Sequence, residues 1–211
     1  MPIKIRESYL VAYNLVQFCG WAYSLVTLVL GHPESDVYKA VYIFQALATL
    51  EILNVLVGIV RADLITTVVQ VYSRLQVLVV HYLVSEARQS SGNYYMLLAW
   101  CLVEVIRYPF LGVKTVTTPP YFLTWLRYSL FYVLYPLGVY GEMVVLRSAI
   151  PSITFNKTLS INLPNSWNVE FDFGSYLTLL VYVLYIPGLG MQYSHMMQQR
   201  RNALSIDKKK V

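Results

Sequence analysis

No charged side chain occurs between Glu7 and Glu34. The stretch from about Tyr9 to Leu30 is therefore long enough to cross, as a helix, a hydrocarbon core of roughly 30 Å. It exceeds the apolar core of a cleavable signal peptide, and no small-x-small cleavage pattern follows it before His32-Pro33. Five further apolar runs follow: about Val41 to Val60, Leu64 to Ser85, Tyr94 to Val113, Tyr121 to Leu146 and Gly174 to Met191. Composition agrees, with 57% hydrophobic and 13% charged residues where soluble domains carry roughly 25% charged. A water-soluble globule could not cover its surface with so few charges, so lipid must do the covering. The expectation is an all-α membrane protein, a single domain over residues 1–211 built as a bundle of about six transmembrane helices, ending in a short basic and polar tail, Gln198 to Val211.

The net charge of +5 reports topology rather than a nucleic-acid partner, because the bases sit at the chain ends and in short loops. With both termini in the cytosol, nine bases (Lys4, Arg6, Arg61, Lys114, Arg200, Arg201, Lys208, Lys209 and Lys210) face it, against Lys39, Arg88, Arg147 and Lys157 on the far side. That asymmetry favours the orientation. The longest loop, Arg147 to Phe173, then lies outside the cytosol and carries the sequon Asn156-Lys157-Thr158, which makes Asn156 a candidate glycosylation acceptor, the alternative being an unused sequon. Within it, Ser160-Ile161-Asn162-Leu163 either pairs as a short hairpin or lies at the membrane interface. The terminal Lys208-Lys209-Lys210-Val211 resembles the dilysine retrieval signal of endoplasmic reticulum membrane proteins, the alternative being a merely solvated basic end.

Six ionisable residues interrupt the spans: Glu51, Arg74, Glu104, Arg107, Arg127 and Glu142. A charge inside a span costs on the order of a few kcal/mol, so it faces the bundle interior and either pairs or does chemistry. Glu104 and Arg107, three apart on one helix face, read as a structural pair. Glu142 has different company. Tyr128, Tyr135 and Glu142 are spaced by seven, so along a helix each step turns only about 20° and rises ~10 Å. A carboxyl and a phenol then face one cavity, too far apart to bond directly yet able to share a small substrate group as acid and base. Pro136 and Gly138 would kink the span and open it there. With 19 tyrosines in the chain, spacing alone leaves chance alignment as the alternative.

Other chemistries fit poorly. Cys101 and Arg107 have the C-x5-R spacing of cysteine phosphatases, but that loop needs glycine-rich, non-helical backbone around a phosphate, and this segment reads as mid-helix. His32, His81 and His195 have no ligand-like spacing, so no metal and no other cofactor is expected. Cys19 and Cys101 both lie in apolar runs and read as structural thiols.

Trp100-x3-Glu104-Val-Ile-Arg107-Tyr108, followed by Leu126-Arg127-Tyr128-x2-Phe131-x2-Leu134-Tyr135-Pro136-x-Gly138-x3-Glu142, closely resembles the signature of the very-long-chain (3R)-3-hydroxyacyl-CoA dehydratases, also called protein-tyrosine-phosphatase-like proteins. Tyr13-Asn14 with Gly20-Trp21, and Leu50-Glu51-x2-Asn54-x3-Gly58-x2-Arg61, are similar to the family's first two spans. One departure stands out, since many members carry His-Cys where this chain has Asn54-Val55. The resemblance implies a multi-pass enzyme of the endoplasmic reticulum membrane that removes water from (3R)-3-hydroxyacyl-CoA to give trans-2-enoyl-CoA, the third step of fatty-acid elongation. It implies Tyr135 and Glu142 as catalytic residues, acyl-CoA as substrate, membrane lipid as surroundings, and the condensing enzyme and the ketoacyl and enoyl reductases as partners. Arg107 and Arg127 would orient Glu142 or hold a neighbouring carboxylate, Glu104 first. A non-catalytic scaffold for the elongation enzymes is the alternative from another class, and a small transporter a weaker third. One tension follows from the topology: acyl-CoA arrives from the cytosol, whereas Glu142 lies toward the far end of its span. Either the site is a deep cavity opening to the cytosol, or the span limits are off by a turn.

Overall fold

The computed structural model describes residues 3–208. Its elements are helices: α1 (Ile3–Val29), α2 (Glu34–Leu47), α3 (Thr49–Leu56), α4 (Leu64–Leu83), α5 (Ser85–Arg88), α6 (Gly92–Val116), α7 (Tyr121–Ser129), α8 (Phe131–Asn156), α9 (Phe173–Leu179), a π-helical turn (Leu180–Leu184) and α10 (Tyr185–Lys208). Among the described residues, five stretches are long and apolar enough to cross a membrane: Glu34–Leu56, Leu64–Leu83, Gly92–Val116, Tyr121–Asn156 and Phe173–Ser205. At 27 residues, α1 reaches about 40 Å. It is more polar than these because Asn14, Gln17 and Ser24 face inward. With α1 the bundle has about six elements of membrane length, as its apolar runs predict.

Burial is inverted relative to a soluble protein. Asn14, Gln17, Gln45, Asn54, Gln76, His81, Asn93 and Glu104 are buried, whereas Ile65, Val133, Phe155, Ile186 and Met191 are exposed. Lipid is the solvent that makes this stable, since the backbone of each span closes its own hydrogen bonds and apolar side chains meet hydrocarbon. The interior polar groups find partners across helices. Tyr38 on α2 donates to Asn93 Oδ1 (2.8 Å), and the Asn93 amide donates to the carbonyls of Ala87 and Arg88, tying α5 and α6 to α2. His81 is stacked on Tyr38 and hydrogen-bonded to the Tyr42 hydroxyl at 2.6 Å.

At the centre, α6 packs against α1 on one side and α8 on the other. The α6–α8 crossing is close because two glycines meet there: a Cβ at Gly141 would lie 2.5 Å from the Met96 amide nitrogen, and one at Gly92 would lie 2.5 Å from the Gly141 carbonyl oxygen. Small residues let membrane helices approach in this way.

Helix limits differ from the apolar runs where polar residues join a helix. The second stretch begins at Glu34, not Val41, because Glu34 and Asp36 occupy the first turn of α2, where acids suit the helix dipole. Asp63 caps α4 by accepting from the Thr66 amide at 2.7 Å, and hydrogen bonding from Thr66 holds its carboxyl below the ordinary carboxylate range. The fifth stretch runs on to Asn156, ten residues past Leu146, so Glu142 sits well inside a long helical element. The last helix continues to Lys208, taking in most of the segment expected as a tail. In the long loop, pairing is limited to one antiparallel bridge, Ile161 to Phe171.

Candidate active site

A cavity of about 650 Å³ lies between α4, α6, α7, α8 and α10. Tyr135 and Glu142 both line it, as their spacing on one helix predicts. Tyr128, the third member of that series, does not. A one-residue irregularity at Leu130 separates α7 from α8 without ending the helical path, and Tyr128, beside the lined face, packs edge-on against Phe110 instead. The irregularity precedes Pro136, whose ring cannot follow an unbroken hydrogen-bond ladder.

Glu142 is held from two other helices. The close α6–α8 crossing brings up Trp100, whose indole Nε1 donates to Glu142 Oε1 at 2.8 Å. Tyr185, the first residue of α10, donates its hydroxyl to Glu142 Oε2 at 3.0 Å. The π-helical turn lies immediately before Tyr185, and such turns re-aim the side chains that follow them. Each carboxylate oxygen thus has one fixed donor and retains accepting capacity. The Tyr135 hydroxyl has no hydrogen-bond partner among the described residues and is half-buried on the same wall.

The remaining span charges form a ladder beside the cavity. Arg74 on α4 pairs with Glu104. Arg107 donates from Nε to Glu104 Oε2 at 2.6 Å and from its two terminal nitrogens to the Glu51 carboxylate at 2.9 and 2.8 Å. The Tyr108 hydroxyl adds a third bond to Glu51 at 2.8 Å. Two arginines and two acids therefore neutralise one another and join α3, α4 and α6, with both guanidinium faces used in the geometry that suits carboxylates. Glu104 and Arg107 pair as expected. Of the two roles expected for Arg107, it takes the second, holding Glu104, and its remaining donors go to Glu51, which leaves none for Glu142. Nor does Arg127 hold a carboxylate: it forms no ion pair among the described residues, lines the cavity and sits over the Tyr128 ring, 5.8 Å from its centroid. Arg74 also stands over Trp100, with its guanidinium carbon 5.1 Å from the centre of the ring.

Tyr185 was not singled out from sequence. It reaches Glu142 from a helix 43 residues away, and no spacing along the chain encodes that meeting. Cys101 is buried within α6, so the C-x5-R segment is helix and not a phosphate loop. Asn54, at the position of the departure, is buried and accepts from the Tyr9 hydroxyl at 3.0 Å, outside the cavity lining. Among the described residues there is no group of three or more His, Cys, Asp or Glu able to hold a metal.

A family model described as "Protein tyrosine phosphatase-like protein, PTPLA" matches residues 45–206. The chain is 40% identical to very-long-chain (3R)-3-hydroxyacyl-CoA dehydratase hpo-8 of Caenorhabditis elegans, over 97% of this chain and 98% of the worm protein. It is 36% identical to very-long-chain (3R)-3-hydroxyacyl-CoA dehydratase 2 of Mus musculus, over 97% of this chain and 84% of the mouse protein. The identity is also 36% to very-long-chain (3R)-3-hydroxyacyl-CoA dehydratase PASTICCINO 2 of Arabidopsis thaliana, over 97% of this chain and 96% of the plant protein. No solved structure matches. With the apolar bundle, the cavity bearing Tyr135 and Glu142, and relatives alike along nearly their whole length, the chain belongs to the protein tyrosine phosphatase-like family, that of the very-long-chain (3R)-3-hydroxyacyl-CoA dehydratases.

Proposed function

We propose that the protein is a hydro-lyase that dehydrates very-long-chain (3R)-3-hydroxyacyl-CoA to trans-2-enoyl-CoA, with Glu142 and Tyr135 as its catalytic residues. The observation that carries this is the placing of the two on one cavity wall, the carboxylate held by Trp100 and Tyr185 and the phenol left free. Dehydration removes a proton from C2, which the thioester acidifies, and expels hydroxide from C3. Glu142 takes the C2 proton. The C2–H electron pair becomes the C2–C3 double bond as the C3–O bond breaks, and Tyr135 donates its proton so that water leaves. Return of the proton from Glu142 to the Tyr135 phenolate resets the site. A mostly apolar wall, including Leu134, Leu146, Leu180 and Leu184, suits the acyl chain.

In purified protein, Tyr135→Phe and Glu142→Gln each lower turnover of 3-hydroxyacyl-CoA by roughly 10²-fold or more, the size expected of general acid–base catalysis. Near-normal turnover in both variants, with the protein properly inserted, overturns the assignment. A scaffold for the elongation enzymes has no need of an oriented carboxylate beside a free phenol, and would fail to complement a dehydratase-deficient cell.

The same proposal places the protein in the endoplasmic reticulum membrane with both termini in the cytosol, acting with the condensing enzyme and the ketoacyl and enoyl reductases of the cycle. The bias of Lys and Arg toward one side supports the orientation, as does Asn156, exposed at the far end of α8 where a glycan would be accommodated. Of the terminal basic motif, Lys209 to Val211 lie outside the described residues. In this orientation the first turn of α4, the short helix α7 and the second half of α10 stand toward the cytosolic end, and Thr66, Arg127 and Gln199 from those segments line the cavity together with Glu142. The deep, cytosol-opening cavity is therefore the form that reconciles the substrate's origin with the depth of Glu142.

A further inference from the structure

Of the six charges inside the spans, four cancel in the Arg74–Glu104–Arg107–Glu51 ladder. The other two, Arg127 and Glu142, have no oppositely charged partner among the described residues, and both line the same cavity. They do not satisfy each other. Their α-carbons are fifteen residues apart on the stretch Tyr121–Asn156, which is about 22 Å along a helix. An independent pair of contacts gives the same layout. α10 runs antiparallel to this stretch, with Tyr185 bonded to Glu142 and Arg200 bonded to Ser129 at 3.1 Å, so Arg127 lies at the end of the cavity away from Glu142. That end also carries the neutral polar side chains Thr66, Thr67, Gln70 and Gln199.

A guanidinium enclosed among helices without an anion is costly, and every carboxylate of the neighbouring ladder is already engaged. An anionic group brought to that end of the cavity would offset this cost. Resting on the dehydratase reading, we propose that Arg127 is the anion-binding residue of the substrate site, holding the diphosphate of the coenzyme A moiety while the thioester and C3 hydroxyl reach Glu142 and Tyr135. The phosphopantetheine arm between those groups is a linear chain that can run along the cavity from one residue to the other. Its far end has somewhere to go: a second cavity of about 330 Å³ at the same end of α7 and α10 is lined by Tyr121, Trp125, Arg200 and Arg201, aromatic faces and cations of the kind that take a nucleotide base and its phosphate. A free phosphate or a lipid headgroup would need neither the aromatic pair nor the distance.

The experiment compares two substrates that share the acyl-pantetheine and differ in the phosphorylated nucleotide: a 3-hydroxyacyl-CoA and the same acyl group on pantetheine, which has neither phosphate nor adenosine. Wild type favours the CoA thioester through a lower KM. In Arg127→Gln that preference collapses, the KM for the CoA thioester rising about tenfold or more, as loss of a charge-assisted bond entails, and Arg127→Lys recovers part of it. A preference that survives in Arg127→Gln, or a variant equally impaired toward both substrates, overturns the proposal and leaves Arg127 a structural or lipid-contacting residue. Binding of a non-hydroxylated acyl-CoA to the purified protein provides a readout free of turnover. If wild type turns over neither substrate, the dehydratase reading fails, while weakened binding in Arg127→Gln still reports the anion site.

Discussion

Glu142 owes its aim to two donors from other helices, Trp100 Nε1 and the Tyr185 hydroxyl. Neither residue is proposed to exchange a proton with substrate, so their loss should act through geometry. Trp100→Phe and Tyr185→Phe are each expected to lower kcat by up to about 10²-fold, the effect of a misplaced catalytic group, with a smaller loss than Tyr135→Phe under the same assay. A Tyr185→Phe variant as inactive as Tyr135→Phe would make Tyr185 the proton donor. At this scale the chain itself shows which residues share a helix: Tyr135 and Glu142 both line the cavity because a seven-residue step turns by only about 20°. The partners of Glu142 are not legible in that way, since Trp100 lies 42 and Tyr185 43 residues from it.

Between elements, the α6–α8 crossing positions the carboxylate, and glycine makes the crossing. A methyl group at Gly141 would press on Met96 backbone at 2.5 to 2.8 Å, whereas one at Gly138 would meet the Ala99 Cβ at 3.4 Å, near ordinary contact. Gly141→Ala is therefore expected to cost about 1–3 kcal/mol and to lower activity by moving Trp100 away from Glu142. Gly138→Ala should be close to neutral. Thermal unfolding in detergent checks both, and equal Tm values for the two variants would contradict this view of the crossing. The irregularity at Leu130 belongs to the same scale. Pro136 and Gly138 mark the neighbourhood of the irregularity, but it falls several residues earlier, at Leu130, and Tyr128 packs against Phe110 rather than lining the cavity.

For the whole molecule, the cavity and the charge bias define one accessible end. In a variant lacking Cys19 and Cys101, an impermeant maleimide added to intact microsomes is expected to label Gln199→Cys directly, and Trp167→Cys in the long loop, whose parent side chain is 85% exposed, only after permeabilisation. The reverse pattern would invert the topology and detach the cavity mouth from the cytosol. Long apolar surface on the outside and polar side chains within make the bundle stable only in lipid or detergent, and sidedness exists only in a closed membrane, so the labelling belongs in native membranes.

The membrane fate, the helical class and the approximate number of long helices were determined by the sequence alone, because apolarity over about 20 residues has one stable outcome in a bilayer. So was the pairing of Glu104 with Arg107, a contact between residues three apart on one helix. The tertiary structure decided which charges cancel. It joined Arg107 to Glu51 across 56 residues, brought Arg74 to Glu104 across 30, and left Arg127 facing the cavity with no ion pair among the described residues. Those outcomes depend on the rotation and crossing of separate helices, which rest on glycine contacts and a helix irregularity rather than on any repeat along the chain.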